Sequence, residues 1–260
     1  MRNLPSGRHA ALPGLSAAVA LGAAYGLVFF WAPEDADQGF VQKIFYLHVP
    51  MAIVALTGFV AGGVMGLAYL RTGDRRWDLR SYVAIHLSLV LAVGVLGTGS
   101  IWARASWGHW WVWSEPVLVS FLVVFLLYAC YQPLRFAIED PERQARAAAV
   151  FAALAGAFVP TNFIAVRMAA PLTHPRVLSA TGGTMPGAMR LTFVACLLAM
   201  ALLFFALWRL EIERKSAAIE LRRRRRARDA ATELQASASF ADTARPMHTV
   251  PPAALRPTLD

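Results

Sequence analysis

Six long apolar blocks are the feature of this sequence that most constrains its fold. Each holds about 20 largely apolar residues, the length that a helix needs to cross the ~30 Å hydrocarbon core of a bilayer. None alternates polar with apolar residues, as the strands of an outer-membrane barrel would. Because helices are the other way to satisfy the backbone in lipid, the sequence predicts an all-α membrane protein with six transmembrane helices. These cover about 12–31, 49–70, 82–102, 117–136, 147–166 and 191–210.

Composition agrees with a membrane protein, since 57% of the 260 residues are hydrophobic, 16% are charged and the mean hydropathy is +0.48. Soluble domains average about 45–50% apolar and about 25% charged residues. The first block, preceded by Arg2 and Arg8, also resembles a signal peptide. Its apolar stretch exceeds the usual ~7–15 residues and lacks a small-x-small cleavage site, so a helix is the favoured interpretation.

The distribution of Lys and Arg predicts the orientation in the membrane. The N-terminal tail, the second and fourth loops and the segment from Arg209 onward hold 20 of the 25 basic residues. Cytoplasmic loops carry this excess, so both termini are predicted to be cytoplasmic. The predicted organisation is a cytoplasmic tail (1–11), a six-helix membrane domain (12–210) and a basic, disordered cytoplasmic tail (211–260).

The C-terminal tail contains "LRRRRRARD", from Leu221 to Asp229. In isolation such a run resembles a nucleic-acid patch. Beside a membrane helix, attraction to anionic lipid is the simpler interpretation, at about 1 kcal/mol per residue. We therefore expect a lipid partner and no nucleic acid, with a disordered polar segment from about residue 230.

The two cysteines exclude some functions. Cys130 and Cys196 both fall inside predicted helices, and there is no CxxC or CxxCH motif. The chain is therefore neither a thiol oxidoreductase nor itself a c-type cytochrome. Both cysteines are expected to be buried and inert.

The stretch "WGHWWVWSEP" holds four of the eight tryptophans. An aromatic belt at the membrane interface is one interpretation, but a belt spreads its rings around the bundle. Four rings in one outward-facing loop favour a shelf for a large apolar ligand. We call this set the tryptophan shelf: Trp107, Trp110, Trp111 and Trp113.

Two histidines lie on the same predicted face as the tryptophan shelf. His48 in "KIFYLHVPMA" is predicted at or just before the first turn of the second helix, because Pro50 suits a first turn. His174 lies in a fifth loop that is long for a helix bundle. Each histidine alone is best explained as an ordinary interfacial or loop residue.

The outer loops together point to one ligand class. A flat apolar ring, a metal that takes axial imidazoles and acidic side arms that pair with guanidinium groups are the features of haem. The candidate partners of the propionates are four outer-face arginines: Arg104, Arg167, Arg176 and Arg190.

These segments resemble a known family. "WGHWWVW" is similar to the tryptophan-rich (WWD) signature of haem-handling proteins of cytochrome c biogenesis. "KIFYLHVP", "PLTHPRVL" and "PGAMR" resemble the cytochrome c maturation protein C (CcmC, haem exporter protein C) family, over about residues 12–210.

The resemblance implies that His48 and His174 are the axial ligands of haem b, bound non-covalently and transiently on the tryptophan shelf. It implies delivery to a periplasmic haem chaperone (CcmE-like), with an ATP-binding cassette complex and a small membrane subunit as further partners. It also implies a multi-pass protein of the inner membrane.

The sequence departs from the family's signature, which normally ends in Trp-Asp followed two residues later by Arg. Ser114 stands at the Asp position, followed by Glu115 and Pro116, and the signature Arg is absent. A one-residue shift would let Glu115 supply the carboxylate. His109 is expected to be a surface donor, and His86, in the third helix, to make a polar contact between helices.

Three functions remain in competition at this point. The favoured one is a carrier of haem without bond-making chemistry, because two imidazoles occupy both axial positions of the iron. A haem-attaching synthetase-like subunit is the second, although its relatives are larger. A membrane transporter unrelated to haem, with the tryptophans as a belt, is the third. Its helices should carry charged residues along a path, and the six blocks carry essentially none.

Overall fold

The computed structural model describes residues 7–168 and 185–243. Within these ranges all regular structure is helical, and six segments are long and apolar enough to cross a membrane. This confirms the predicted fold class. The α-helices are α1 (Gly7–Phe30), α2 (Phe45–Thr72), α3 (Arg75–Trp107), α4 (Pro116–Ala129), α5 (Tyr131–Phe136), α6 (Pro141–Met168) and α7 (Gly187–Thr243), and a 3₁₀ turn over Phe40–Ile44 precedes α2.

Helix α2 packs through glycines on two of its faces. A Cβ atom added to Gly58 would clash with the Ser88 hydroxyl of α3. A Cβ atom on Gly63 would lie 2.8 Å from the Ala152 carbonyl oxygen of α6. Missing side chains thus let α2 approach both neighbours closely, as small residues do between membrane helices. Phe59, on the same helix, stacks on Tyr128 of α4 at 3.8 Å between ring centroids.

One end of the bundle, which we call the basic end, holds the connections α2–α3 and α5–α6. Gly73 ends α2 in the left-handed conformation, and Asp74 caps α3 by accepting a hydrogen bond from the Arg76 amide at 2.9 Å. The two connections are adjacent, because Arg75 Nη1 donates to the Pro141 carbonyl at 2.7 Å. The tryptophan shelf lies at the other end, which we call the tryptophan end.

A buried ion pair joins α3 to α5 near the basic end. Nη1 and Nη2 of Arg135 donate to the two carboxylate oxygens of Asp78, at 2.7 and 2.8 Å. Close by, Gln132 Nε2 lies 3.4 Å from His86 Nδ1, and Tyr82 stacks on His86. The predicted polar contact of His86 between helices is therefore present.

The fourth predicted span differs from one continuous helix, because α4 and α5 meet at Cys130. Cys130 is exposed on the bundle surface, whereas Cys196 is buried. The expectation that both cysteines are buried is therefore wrong for Cys130. An exposed position is tolerated there because a small, weakly polar side chain is compatible with lipid.

The chain divides into two units, Met1–Glu213 and Arg214–Asp260. Within the second unit, the structure describes helix up to Thr243, whereas a disordered tail was expected from the sequence. Alanine, leucine, arginine and glutamate are strong helix formers, which offsets the high charge. Arg224 and Glu220 add an ion pair one turn apart, at 2.8 Å.

Candidate functional site

The start of α2 places His48 at the tryptophan end. The 3₁₀ turn Phe40–Ile44 runs directly into α2, so helix begins at Phe45 and His48 occupies its first turn, as predicted. Pro50 was expected in that first turn but lies in the second, where it is buried. The preceding 3₁₀ turn explains the difference, since the chain is already helical before the proline.

A hydrogen bond to Thr98 of α3 orients the imidazole of His48. His48 Nδ1 lies 3.0 Å from Thr98 Oγ1, and Thr98 Oγ1 lies 2.8 Å from the Gly94 carbonyl oxygen. A hydroxyl has one proton, which Thr98 donates to that carbonyl. Thr98 therefore accepts a hydrogen bond from Nδ1–H of His48, and the lone pair of the imidazole is on Nε2. This is the state in which a histidine binds a metal.

Gly99 of α3 provides the space that the His48 ring occupies. A Cβ atom at Gly99 would lie 2.8 Å from Cε1 of His48, closer than any van der Waals contact allows. On the next turn of α3, the Trp102 ring meets the His48 ring edge to face, with 5.8 Å between centroids. The imidazole is thus held by a hydrogen bond, a steric gap and an aromatic contact from one helix.

Trp102 is itself anchored to the connection between α1 and α2. Its Nε1 donates to Gln38 Oε1 at 2.8 Å, and Ser106 Oγ lies 3.5 Å from the same oxygen. Lys43 donates to the carbonyls of Val28 and Ala32 at the end of α1. Hydrogen bonds therefore link the residues around His48 to the connection between α1 and α2.

The tryptophan loop, residues 108–115, follows the last residue of α3, Trp107. Gly108 turns the chain with a φ of 78°, a conformation that favours glycine. Arg104 Nη1 donates to the Gly108 carbonyl and so closes this turn. Arg104 was predicted to pair with a propionate, and this bond places its guanidinium beside the loop.

The tryptophan shelf presents apolar rings on the protein surface. Trp110 and Trp113 are 60% and 73% exposed, which is unusual for such large side chains. Trp107 and Trp111 are half-buried, and the rings of Trp111 and Trp113 meet at 5.9 Å. Within the described part of the chain, the buried Nε1 of Trp111 has no hydrogen-bond acceptor. The loop thus offers exposed aromatic surface and an indole donor.

Glu115 was expected to supply the carboxylate of the shelf. Its side chain is fully buried, and it caps α4 by accepting a hydrogen bond from the Val117 amide at 3.5 Å. Pro116 follows at the first position of α4, where proline is favoured. The Ser-Glu-Pro ending of the signature therefore begins a helix, and Ser114 is exposed.

The second predicted ligand, His174, and Arg176 lie outside the described residues. The convergence of His48 and His174 therefore remains a prediction. The arginines that flank the gap are both exposed, with Arg167 at 5.4 Å from the Phe163 ring centroid and Arg190 in the first turn of α7. His109 is exposed, as expected of a surface donor.

The residues that orient His48 were missed by sequence reasoning. Thr98 and Gly99 are inside an apolar block, where a threonine and a glycine are ordinary residues of a membrane helix. Trp102 lies at the end of the same block. Its place five residues before Trp107 is the signal that could have identified it.

Comparison with known proteins gives consistent matches. The sequence profile of the family described as Heme exporter protein C matches residues 5–230. A Heme exporter protein C from Paracoccus denitrificans is 33% identical over 225 residues, which are 84% of this chain and 93% of that protein. Its counterpart from Bradyrhizobium diazoefficiens is 35% identical over 201 residues, covering 76% and 74% of the two chains. The Escherichia coli K12 protein of the same name is 34% identical over 122 residues, covering 47% and 49%.

Proposed function

The chain belongs to the Heme exporter protein C family of multi-pass inner-membrane proteins, and from this premise we propose that it binds haem and presents it to a periplasmic haem chaperone. Haem is the cargo, held at the tryptophan end on the periplasmic face. The protein makes no covalent bonds in this role, because it carries and releases its ligand unchanged.

The orientation of His48 is the observation that carries this proposal. The Thr98 hydrogen bond puts the proton of the imidazole on Nδ1 and the lone pair on Nε2. A hydrogen bond of this kind, to the nitrogen that does not bind the metal, fixes the ring and raises its basicity as a metal ligand. His48 would supply one axial ligand of the haem iron, and His174 the other.

The remaining features fit the other parts of a haem. The exposed rings of Trp110 and Trp113 offer a surface on which a porphyrin is shielded from water. The Trp111 indole, a buried donor without an acceptor among the described residues, suits a propionate oxygen. Arg104 and Arg176 would add charge-assisted hydrogen bonds to the propionates.

The fit is weaker for the carboxylate expected of the signature. Glu115 is buried at the start of α4, so it would act on the ligand by fixing the loop. An ATP-binding cassette complex with a small membrane subunit would assist release of the loaded chaperone. Neither the synthetase-like function nor the transporter unrelated to haem is favoured by a contact in the described residues.

Absorbance spectroscopy of the purified protein tests the proposal. Protein from haem-replete cells should show the spectrum of six-coordinate haem with two imidazole ligands. His48→Ala and His174→Ala should each lower or shift that absorbance. His109→Ala, which removes an exposed histidine of the tryptophan loop, should not. Colourless wild-type protein, or equal spectra for all three variants, would contradict it.

A further inference from the structure

A groove of about 500 Å³ lies between α5 and α6 near the basic end. Its lining combines two arginines, Arg143 and Arg146, with apolar side chains that include Leu134, Val150, Phe151 and Leu154. Among the described residues, the lining contains no carboxylate. None of these residues takes part in the proposed haem site, which lies at the tryptophan end.

The lining residues are ordered along α6. Arg143, Arg146, Val150 and Leu154 recur at spacings of three and four residues, so they share one face of the helix. From Arg146 to Leu154 the helix rises roughly 12 Å, at ~1.5 Å per residue. The groove is therefore charged at the membrane surface and apolar towards the membrane interior.

The guanidinium groups of Arg143 and Arg146 lack the protein partners that three other arginines of the basic end have among the described residues. Arg75 donates to the Pro141 carbonyl, Arg76 pairs with Asp74, and Arg135 pairs with Asp78. The guanidinium groups of Arg143 and Arg146 are exposed and make no hydrogen bond or ion pair with another described residue. Val150 and Leu154, which continue the same face, are 43% and 70% exposed.

We propose that this groove binds an anionic phospholipid, with the phosphate at Arg143 and Arg146 and an acyl chain along Val150, Phe151 and Leu154. Charge complementarity selects the ligand, because a basic pocket between helices at the membrane surface is suited to an anionic headgroup. The apolar residues that continue the groove into the membrane match the order of headgroup and acyl chain in a phospholipid.

Native mass spectrometry of the full chain in detergent tests this site, with phosphatidylglycerol titrated against phosphatidylcholine. Arg143→Gln and Arg146→Gln should each weaken phosphatidylglycerol binding about fivefold, and the double variant about thirtyfold, at ~1 kcal/mol per arginine. Arg71→Gln removes one exposed charge at the same end outside the groove, and should change binding less than about twofold. Inorganic phosphate should not displace the lipid.

A second variant separates the groove from general surface charge, including that of the basic tail. Val150→Trp keeps both arginines and fills the apolar part of the groove, so it should lower phosphatidylglycerol binding with an unchanged thermal unfolding midpoint. The proposal is overturned if Val150→Trp binds the lipid normally, if Arg71→Gln matches the groove variants, or if the two lipids bind equally. Displacement of the lipid by inorganic phosphate would overturn it too.

Discussion

His48 and Thr98 are fifty positions apart in the chain, and their side chains meet at 3.0 Å between Nδ1 and Oγ1. This hydrogen bond joins the first turn of α2 to the last third of α3 at the tryptophan end. Within a membrane helix, threonine usually returns its hydroxyl to its own backbone, and Thr98 does so through Gly94. The Thr98 oxygen also accepts the hydrogen bond from Nδ1–H of His48.

Thr98→Val should weaken haem binding while it preserves the shape of the side chain. Loss of the acceptor leaves the His48 ring free to rotate and to change tautomer. Removing a hydrogen bond that orients a metal-binding histidine typically costs about 10- to 100-fold in affinity. Thr98→Ser, which keeps the hydroxyl, should bind nearly as the wild type. Haem titration followed by absorbance measures both affinities. Equal affinity for Thr98→Val and the wild type would show that Thr98 does not orient His48 for haem binding.

Gly99→Ala should displace the His48 ring, because the new Cβ atom would lie 2.8 Å from Cε1. Gly97→Ala is the matched control, since a Cβ atom there meets nothing within 4 Å. We expect at least about a tenfold loss of haem affinity for Gly99→Ala, the lower limit typical of a disturbed ligand shell. Gly97→Ala should bind normally, and identical binding by the two variants would count against the observed packing.

Replacement of Trp110 and Trp111 by alanine should raise the dissociation constant of haem by about tenfold or more, because large aromatic contact area is lost. Trp31→Ala is the control, since Trp31 is a half-exposed tryptophan outside the tryptophan loop. Membrane insertion should be unchanged in every variant. If the loop variants retained haem as well as Trp31→Ala does, the tryptophans would be better explained as an interfacial belt.

Arg135→Gln should lower the free energy of unfolding by about 3–5 kcal/mol, because it leaves the Asp78 carboxylate buried without its partner. Arg76→Gln, which breaks the exposed pair with Asp74, should lower it far less, because water screens an exposed pair. Chemical denaturation in detergent compares the two. The double variant Arg135→Gln/Asp78→Asn should recover part of the loss, and a loss no larger than that of Arg76→Gln would contradict the buried pair.

The number and type of membrane spans were predictable, because the length and composition of an apolar block are local properties. The span ends were less so: α3 begins at Arg75 and ends at Trp107, several residues beyond the apolar block at both ends. Backbone hydrogen bonding and caps such as Asp74 and Gly108 carry helices into the polar interface. The break between α4 and α5 at Cys130 could not be predicted from hydropathy.

The site was predictable in its chemistry and only in part in its geometry. His48 and the tryptophan shelf stand out because such residues are rare together at a membrane surface. Thr98 and Gly99 lie on α3 and matter because they contact His48 of α2. A contact between two helices cannot be read from hydropathy. Glu115 was assigned as the carboxylate of the signature shifted by one residue, yet its burial and its bond to the Val117 amide depend on where α4 begins.

Contacts with α3 fix the position of the His48 ring. The ring is bounded by Thr98, Gly99 and Trp102, all on a helix that packs closely against its own. The His48 ring therefore has little room to move while α2 and α3 stay packed, so it would form the fixed side of the proposed haem site. If haem is held there as proposed, its release would have to begin with movement of other residues of the site.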